Sequence, residues 1–197
     1  MEPSKIPKRA RKVLTKRLHT LSQKIEWELQ PEILQSLQIP KPMHGLAPRV
    51  VLGTSWWNKT RKAAYASTDY HCAACGVAKH LAKSRQWLEG HELYKIDYRK
   101  GQMVYVETVP LCTYCHHFVH PGRLQWLLET GRIHQSKYVG IITHGNRVLN
   151  QAGLKRLPDY TGPCAAWEKW RLVVNGKRYK PVYKSLEHWI AAFGREV

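Results

Sequence analysis

Four of the five cysteines occur in two pairs whose spacing is typical of a metal site: Cys72-x-x-Cys75 and Cys112-x-x-Cys115. Two residues between ligands let both thiolates of a pair reach one ion around a tight turn. Four thiolates complete the tetrahedral shell that Zn²⁺ takes in structural sites. A redox-active pair would need a βαβ setting, which the sequence does not predict. We therefore predict a structural zinc ion held by these four cysteines, and an ordinary thiol at Cys164.

Three histidines near these pairs have the spacing of a second metal site. His116 and His120 are four residues apart, so one helix would place both imidazoles on the same side. His91 lies in a segment that reads as a β-strand, and a β-hairpin packed on that helix would bring it opposite the other two. Three imidazoles leave positions open for water and a phosphate oxygen, as a catalytic site requires. The alternative is a second structural zinc site, which would lack a fourth ligand unless Glu92 or His117 joined.

The order of these motifs, C-x-x-C, then L-E-x-H-E, then L-C-x-x-C-H-x-x-x-H, resembles the HNH endonucleases of the ββα-metal (His-Me finger) group. The zinc-bearing phage and bacterial members are the most similar, and the resemblance covers the chain from Ser55 to Leu124. It implies a divalent ion, Mg²⁺ or Mn²⁺, that binds the scissile phosphate and stabilises the leaving oxygen. It also implies a base on the first strand that activates water, so that DNA is nicked or cut with 5′-phosphate and 3′-hydroxyl ends.

The same resemblance implies a role for each candidate residue. His91, His116 and His120 match the ligands of the catalytic ion. Glu92 stands where the family usually has a general-base histidine, and its ordinary pKa makes it a weaker base near neutral pH than imidazole. In an alternative assignment His91 is the base, and Glu89 or Glu92 binds the metal. His91 is catalytic in both assignments.

A second departure concerns the asparagine that gives the family its middle letter. This chain has Glu107-Thr108 in that region, before Val109. The asparagine normally orients the first-strand residue through a hydrogen bond, and we expect Glu107 or Thr108 to take over this task. The two departures leave a catalytically inert, zinc-stabilised DNA-binding protein as an alternative function.

Charge indicates the class of partner. The chain has 32 Lys and Arg against 14 Asp and Glu, a formal net charge of +18. Cations on phosphates release condensed counterions, so nucleic acid is favoured over an acidic membrane surface. We expect double-stranded DNA, with an RNA-directed nuclease or binder as the alternative. The residues expected on phosphates lie beside Trp56 and Trp57 and at the tip of a predicted hairpin: Lys59, Arg61, Lys62, Lys177, Arg178 and Lys180.

Local sequence signals predict the elements that must position these residues. Strands from Trp87 to Tyr98 and from Met103 to Thr108, joined by a turn at Gly101, form the hairpin that carries His91. Ser55 is a candidate N-cap for a helix that continues through Tyr65. Asn175-Gly176 between β-branched and aromatic runs predicts a second hairpin. Further helices are expected at residues 31–37, 123–129, 140–154 and 186–193.

These elements suggest an α+β fold in three segments. Residues 1–53 form a basic extension and linker, in which Arg9 to Leu21 is either an amphipathic helix or a disordered tail. Residues 54–131 form the ββα-metal core with its zinc knuckle, and residues 132–197 form an accessory region of helix and hairpin. The N-terminal charges precede no apolar stretch, and no run has the length of a membrane span. We expect a soluble protein in the cytoplasm of a bacterial or phage-infected cell, and the sequence does not indicate an oligomeric state.

Overall fold

The computed structural model describes residues 27–84 and 86–193, which form a mixed α+β fold. The amphipathic helix or tail considered for Arg9 to Leu21 lies outside these residues. One four-stranded sheet has the strand order β1-β2-β3-β4, with β1 Leu88–Asp97, β2 Gln102–Cys112, β3 Arg171–Val174 and β4 Lys177–Tyr179. Five α-helices are found in the described residues: α1 Pro48–Ser67, α2 Thr113–Phe118, α3 Pro121–Glu129, α4 Gln135–Gln151 and α5 Leu186–Phe193. Short 3₁₀ turns lie at Pro31–Gln35, Lys41–Met43, Lys79–Leu81 and Trp167–Lys169.

The predicted hairpin around Gly101 is confirmed, and its second strand is longer than expected. β1 and β2 pair antiparallel, with His91 opposite Val109 and Glu92 opposite Thr108. β2 continues past Thr108 because the residues that follow are apolar and buried, Leu111 completely. The strand therefore delivers Cys112 directly to the start of α2.

Helix α1 begins earlier than the predicted cap at Ser55. Pro48 occupies the first turn, where its fixed φ and missing N–H favour a helix start. Gly53 then interrupts the helix with φ +81°, a backbone conformation that favours glycine, so α1 consists of two pieces with a kink between them. Within residues 27–84 and 86–193, none of the helices combines the length and the apolar character that a membrane crossing needs.

Two apolar cores flank the sheet. The first surrounds the paired cysteines and includes Leu111, Phe118, Leu124, Ile141 and Leu149. The second lies near the Gly101 turn of the β1–β2 hairpin and includes Met43, Met103, Trp170, Leu172 and Val174. Ile33 and Leu34 contribute to the first core, and Met43 and Leu46 to the second, so the segment before α1 packs against both.

The C-terminal region joins the same sheet. β3 pairs parallel with residues 102–104 of β2, next to the Gly101 turn, and then turns back into β4 through Asn175-Gly176. Both turn residues have positive φ, +49° and +77°, as the predicted two-residue hairpin requires. Helix α5 packs on the segment before α1, where the Trp189 indole N–H donates to His44 Nδ1 at 3.1 Å.

Candidate metal centres

The four paired cysteines form one cluster. The sulfur atoms of Cys72, Cys75, Cys112 and Cys115 all lie within 4.8 Å of one another, and Cys75 Sγ is 3.8 Å from Cys112 Sγ. Three of the four residues are buried, whereas Cys164 is exposed. Hydrogen bonds from neighbouring cysteine thiols, the strongest from Cys112, lower the pKa of Cys72 because they stabilise its thiolate. Four thiolate donors at this spacing could hold a metal such as zinc.

Two further groups support the sulfur cluster from α2 and α4. The backbone N–H of Cys115 donates to Cys112 Sγ at 3.5 Å. His144 Nε2 lies 3.3 Å from Cys115 Sγ, and Arg147 Nη2 lies 3.4 Å from His144 Nδ1. A guanidinium can only donate, so Nδ1 accepts, and the ring N–H on Nε2 is directed at the sulfur. The sequence contains no motif that predicts this contact, since His144 is 29 residues from Cys115.

The three predicted histidines also come together. His91 lies on β1, His116 on α2, and His120 between α2 and α3, and one ring nitrogen of each lies within 4.8 Å of the others. Ring centroids are 5.5 Å apart for His91 and His116, and 5.0 Å for each of the pairs with His120. The prediction that one helix carries both His116 and His120 was wrong. Helix α2 ends at Phe118, because Pro121 starts a new helix and the chain must turn before it.

Burial keeps two of these imidazoles neutral. His91 is 6% exposed, and this burial holds its pKa well below the ordinary value; electrostatic repulsion of a second positive charge by His120, His116 and Arg49 lowers the pKa further. Burial likewise lowers the pKa of His120 to about 3. Only a neutral imidazole has the free lone pair that binds a metal. The rings of His91 and His120 are therefore in the neutral form that can bind a metal at neutral pH.

A carboxylate holds the third imidazole. Glu89 Oε2 accepts a hydrogen bond from His116 Nδ1 at 2.8 Å. Burial alone would raise the pKa of Glu89, but the hydrogen bond and charge of His116 outweigh it and bring the value down to about 2. A carboxylate on one ring nitrogen fixes the ring orientation and makes the other nitrogen a better ligand. The structure thus gives Glu89 a supporting position behind His116, outside the group of three ligand atoms.

Glu92 lies next to His91 but has a different partner. Its carboxylate meets the guanidinium of Arg49 on α1, with Nη1 donating to both oxygens. The Glu92 side chain is 8% exposed and that of Arg49 is 48% exposed. Glu107 and Thr108, expected to replace the family's asparagine, do not hydrogen-bond to Glu92 or His91. Thr108 Oγ1 pairs instead with the Tyr105 hydroxyl at 3.0 Å, and Glu107 is exposed.

A groove of about 1120 Å³ opens over the imidazoles. Its lining includes His91, His116, His120, Glu89 and Glu92. Four cationic side chains and the indole of Trp57 line the same groove, and the cations are Arg49, Arg61, Lys79 and Arg123. This groove, named the basic groove after its four cations, therefore places the three imidazoles beside an excess of positive charge.

The residues predicted to contact phosphates are spread over two distant surfaces. Arg61 lines the basic groove, while Lys59 and Lys62 are exposed on the same helix. Lys177, Arg178 and Lys180 are exposed in and just after β4, and none of them lines the groove. Strand β3 of their hairpin pairs with residues 102–104 of β2, whereas His91 pairs with Val109 of the same strand. Val104 and Val109 are about 17 Å apart along the strand.

No family model, curated protein or solved structure matches this chain. The assignment of a function therefore rests on the geometry of the two clusters and on the order of their motifs.

Proposed function

We propose that this chain is a divalent-metal-dependent endonuclease of the HNH type that hydrolyses DNA phosphodiester bonds. The observation that carries the proposal is the group of three imidazoles on the lining of a groove rich in arginine. In this proposal β1, β2 and α2 are the ββα-metal core. The four cysteines are its structural zinc site, and the three histidines are its catalytic metal site.

The donor set decides which ions fit the histidine site. Three imidazoles suit a transition-metal ion such as Zn²⁺ or Ni²⁺ better than Mg²⁺, which prefers oxygen ligands and strict octahedral geometry. A bound divalent ion would supply Lewis-acid stabilisation of the charge that develops on the phosphate and the leaving oxygen. Of the two ions that the family resemblance implies, Mn²⁺ is therefore expected to support cleavage better than Mg²⁺.

Three arginines are placed to hold the DNA backbone. Arg49, Arg61 and Arg123 line the basic groove, and a guanidinium binds a phosphate with two parallel hydrogen bonds. Such contacts position the scissile bond without reading the sequence of bases. Trp57 lies beside the Arg49 guanidinium, 5.6 Å from it, and limits the directions in which that side chain can turn.

Glu92 is the general base of the proposal, and Arg49 controls it. Both carboxylate oxygens of Glu92 are engaged by Arg49 before DNA enters. A backbone phosphate in the groove would compete for the same guanidinium, because Arg49 is the half-exposed partner of the pair. The released carboxylate could then accept a proton from the attacking water. The base would thus become available only when substrate is present.

The proposal is tested with supercoiled plasmid and a panel of Mg²⁺, Mn²⁺, Ni²⁺ and Zn²⁺, followed by mapping of the cut ends. We expect cleavage with 5′-phosphate and 3′-hydroxyl ends. The Glu92→Gln variant should lose turnover although it binds DNA at least as tightly, because the neutral amide no longer competes with phosphate for Arg49; lost turnover with retained binding marks a role in the transition state. Glu107→Gln, an exposed acid on the adjacent strand, is the matched control and should cleave as the unmodified protein does.

Two results would contradict the proposal. Binding of duplex DNA with no cleavage under any of the four ions would favour the inert, zinc-stabilised DNA-binding protein. Structured RNA that outcompetes duplex DNA, and that is bound or cut in its place, would favour the RNA-directed alternative.

A further inference from the structure

Helix α4 has one exposed face that is polar except for Val139, which is 50% exposed. At 100° per residue its exposed positions fall on one side, while Ile141, Gly145, Val148 and Leu149 fall on the other and are buried. The helix has no Asp or Glu among its 17 residues. The exposed positions from the middle of the helix onward line one shallow depression: Thr143, Asn146, Arg147, Asn150 and Gln151.

These residue types match the edges of base pairs. Asn and Gln can bond adenine through two atoms, Arg can do the same with guanine, and Thr can contact either a polar edge or a thymine methyl group. The helix is about 25 Å long, and the major groove of DNA is wide enough to admit an α-helix. A surface helix that served only solubility would be expected to carry charges of both signs, and this face lacks carboxylates.

The apolar core holds α4 in a fixed position, as a helix that contacts base edges requires. Gly145 packs so closely on α2 that an added Cβ would overlap the Phe118 ring. His144 reaches the sulfur of Cys115, so the helix is also tied to the cysteine cluster. The same short helix α2 carries His116 toward β1. The exposed face of α4 therefore has a fixed position relative to the histidine cluster.

We propose that the exposed face of α4 enters the major groove of double-stranded DNA and gives the nuclease a preference for sequence. This inference rests on the DNA substrate proposed above. Charge favours this partner: the face has a cation and no acid, Lys155 and Arg156 follow the helix, and the chain carries +18 overall. The backbone contacts in the basic groove and the base contacts on α4 would then be separate surfaces.

The test is a selection from a random duplex library with the full-length, cleavage-deficient His91→Ala protein. We expect a short shared motif in the bound fraction. The variants Asn146→Ala and Asn150→Ala should each lose discrimination at one or two base pairs, by roughly 5- to 150-fold per lost two-atom contact. Their affinity for a scrambled duplex should stay the same. Arg147 is left unchanged because it also contacts His144.

Thr161→Ala, in an exposed loop, is the control and should keep both the motif and the affinity. Absence of a motif, or a motif that both asparagine variants retain, would overturn the inference. Plasmid cleavage by the unmodified protein separates the two proposals. Cleavage without any selected motif would support the nuclease activity and contradict sequence recognition by α4. A selected motif that depends on α4, without cleavage, would support sequence recognition by α4 and contradict the nuclease activity.

Discussion

Cys115 and His116 are neighbours on α2, yet they belong to sites with different properties. Cys115 is fully buried and joins three other cysteines, whereas His116 joins only two other histidines and faces the basic groove. Four protein ligands in a core leave no position for a substrate, and three at a groove do. The number of ligands and their access to solvent thus separate a site that holds the fold from one suited to chemistry.

The groups behind the ligands differ in the same way. The sulfur of Cys115 accepts from the N–H of His144, while the imidazole of His116 directs its N–H to the carboxylate of Glu89. A donor spreads the negative charge of a thiolate, and an acceptor strengthens an imidazole as a ligand. The hydrogen-bonding partners of each cluster are therefore matched to its candidate ligands.

The largest effect is expected at the sulfur cluster. Cys115→Ser should abolish zinc binding and cooperative folding, because binding supplies about 10–16 kcal/mol in small zinc-dependent domains and a whole domain has only about 5–15 kcal/mol of stability. Zinc content and thermal unfolding measure the loss. Cys164→Ser, at the exposed thiol, should change neither. A folded, zinc-free preparation of the unmodified chain would show that the cysteines have no structural metal.

The histidine cluster should lose function and keep the fold. His120→Ala should reduce plasmid cleavage by at least about a hundredfold, since even the loss of an outer partner of a ligand costs 10- to 100-fold. Raising the concentration of the divalent ion should recover part of the activity, because weaker binding is offset by mass action. His117→Ala, next to His116 but outside the cluster, is the control. Loss of zinc from the cysteines in His120→Ala would mean that the two sites are not independent.

The carboxylate behind His116 should have an intermediate effect. Glu89→Gln keeps the size of the side chain but removes its charge, so we expect a 10- to 100-fold loss of metal affinity at the histidine site. Cleavage measured against metal concentration should show a shifted midpoint and nearly the same maximum. A lower maximum with an unchanged midpoint would instead assign Glu89 a direct part in the reaction.

The smallest effect is expected behind the sulfur cluster. His144→Ala removes one hydrogen bond to the Cys115 sulfur at a half-buried position, which should cost about 1–2 kcal/mol of folding stability and lower Tm by a few degrees. Cleavage at a temperature where the variant is folded should be normal. Loss of cleavage without loss of stability would show that His144 acts on the groove side of α2.

Spacing within the sequence predicted the parts of the fold that depend on neighbouring residues. The two cysteine pairs, the strand of His91 and the Asn175-Gly176 turn are all local signals, and the structure contains the corresponding cluster, strand and hairpin. The contact between Arg49 and Glu92 joins residues 43 positions apart and follows from the kinked packing of α1. It has no local signal. Phosphate contacts at Lys177, Arg178 and Lys180 stay a prediction. If these residues bind phosphates, they do so on a surface distant from the basic groove.

The most direct test of the account is the His91→Ala variant, assayed for zinc content, thermal unfolding and plasmid cleavage in one preparation. His91 lies on β1, outside the sulfur cluster, and its ring meets both other imidazoles. We predict normal zinc content, an unfolding transition close to that of the unmodified protein, and loss of cleavage. Cleavage at the unmodified rate by a folded, zinc-bound His91→Ala protein would contradict the assignment of the histidine cluster as the catalytic centre.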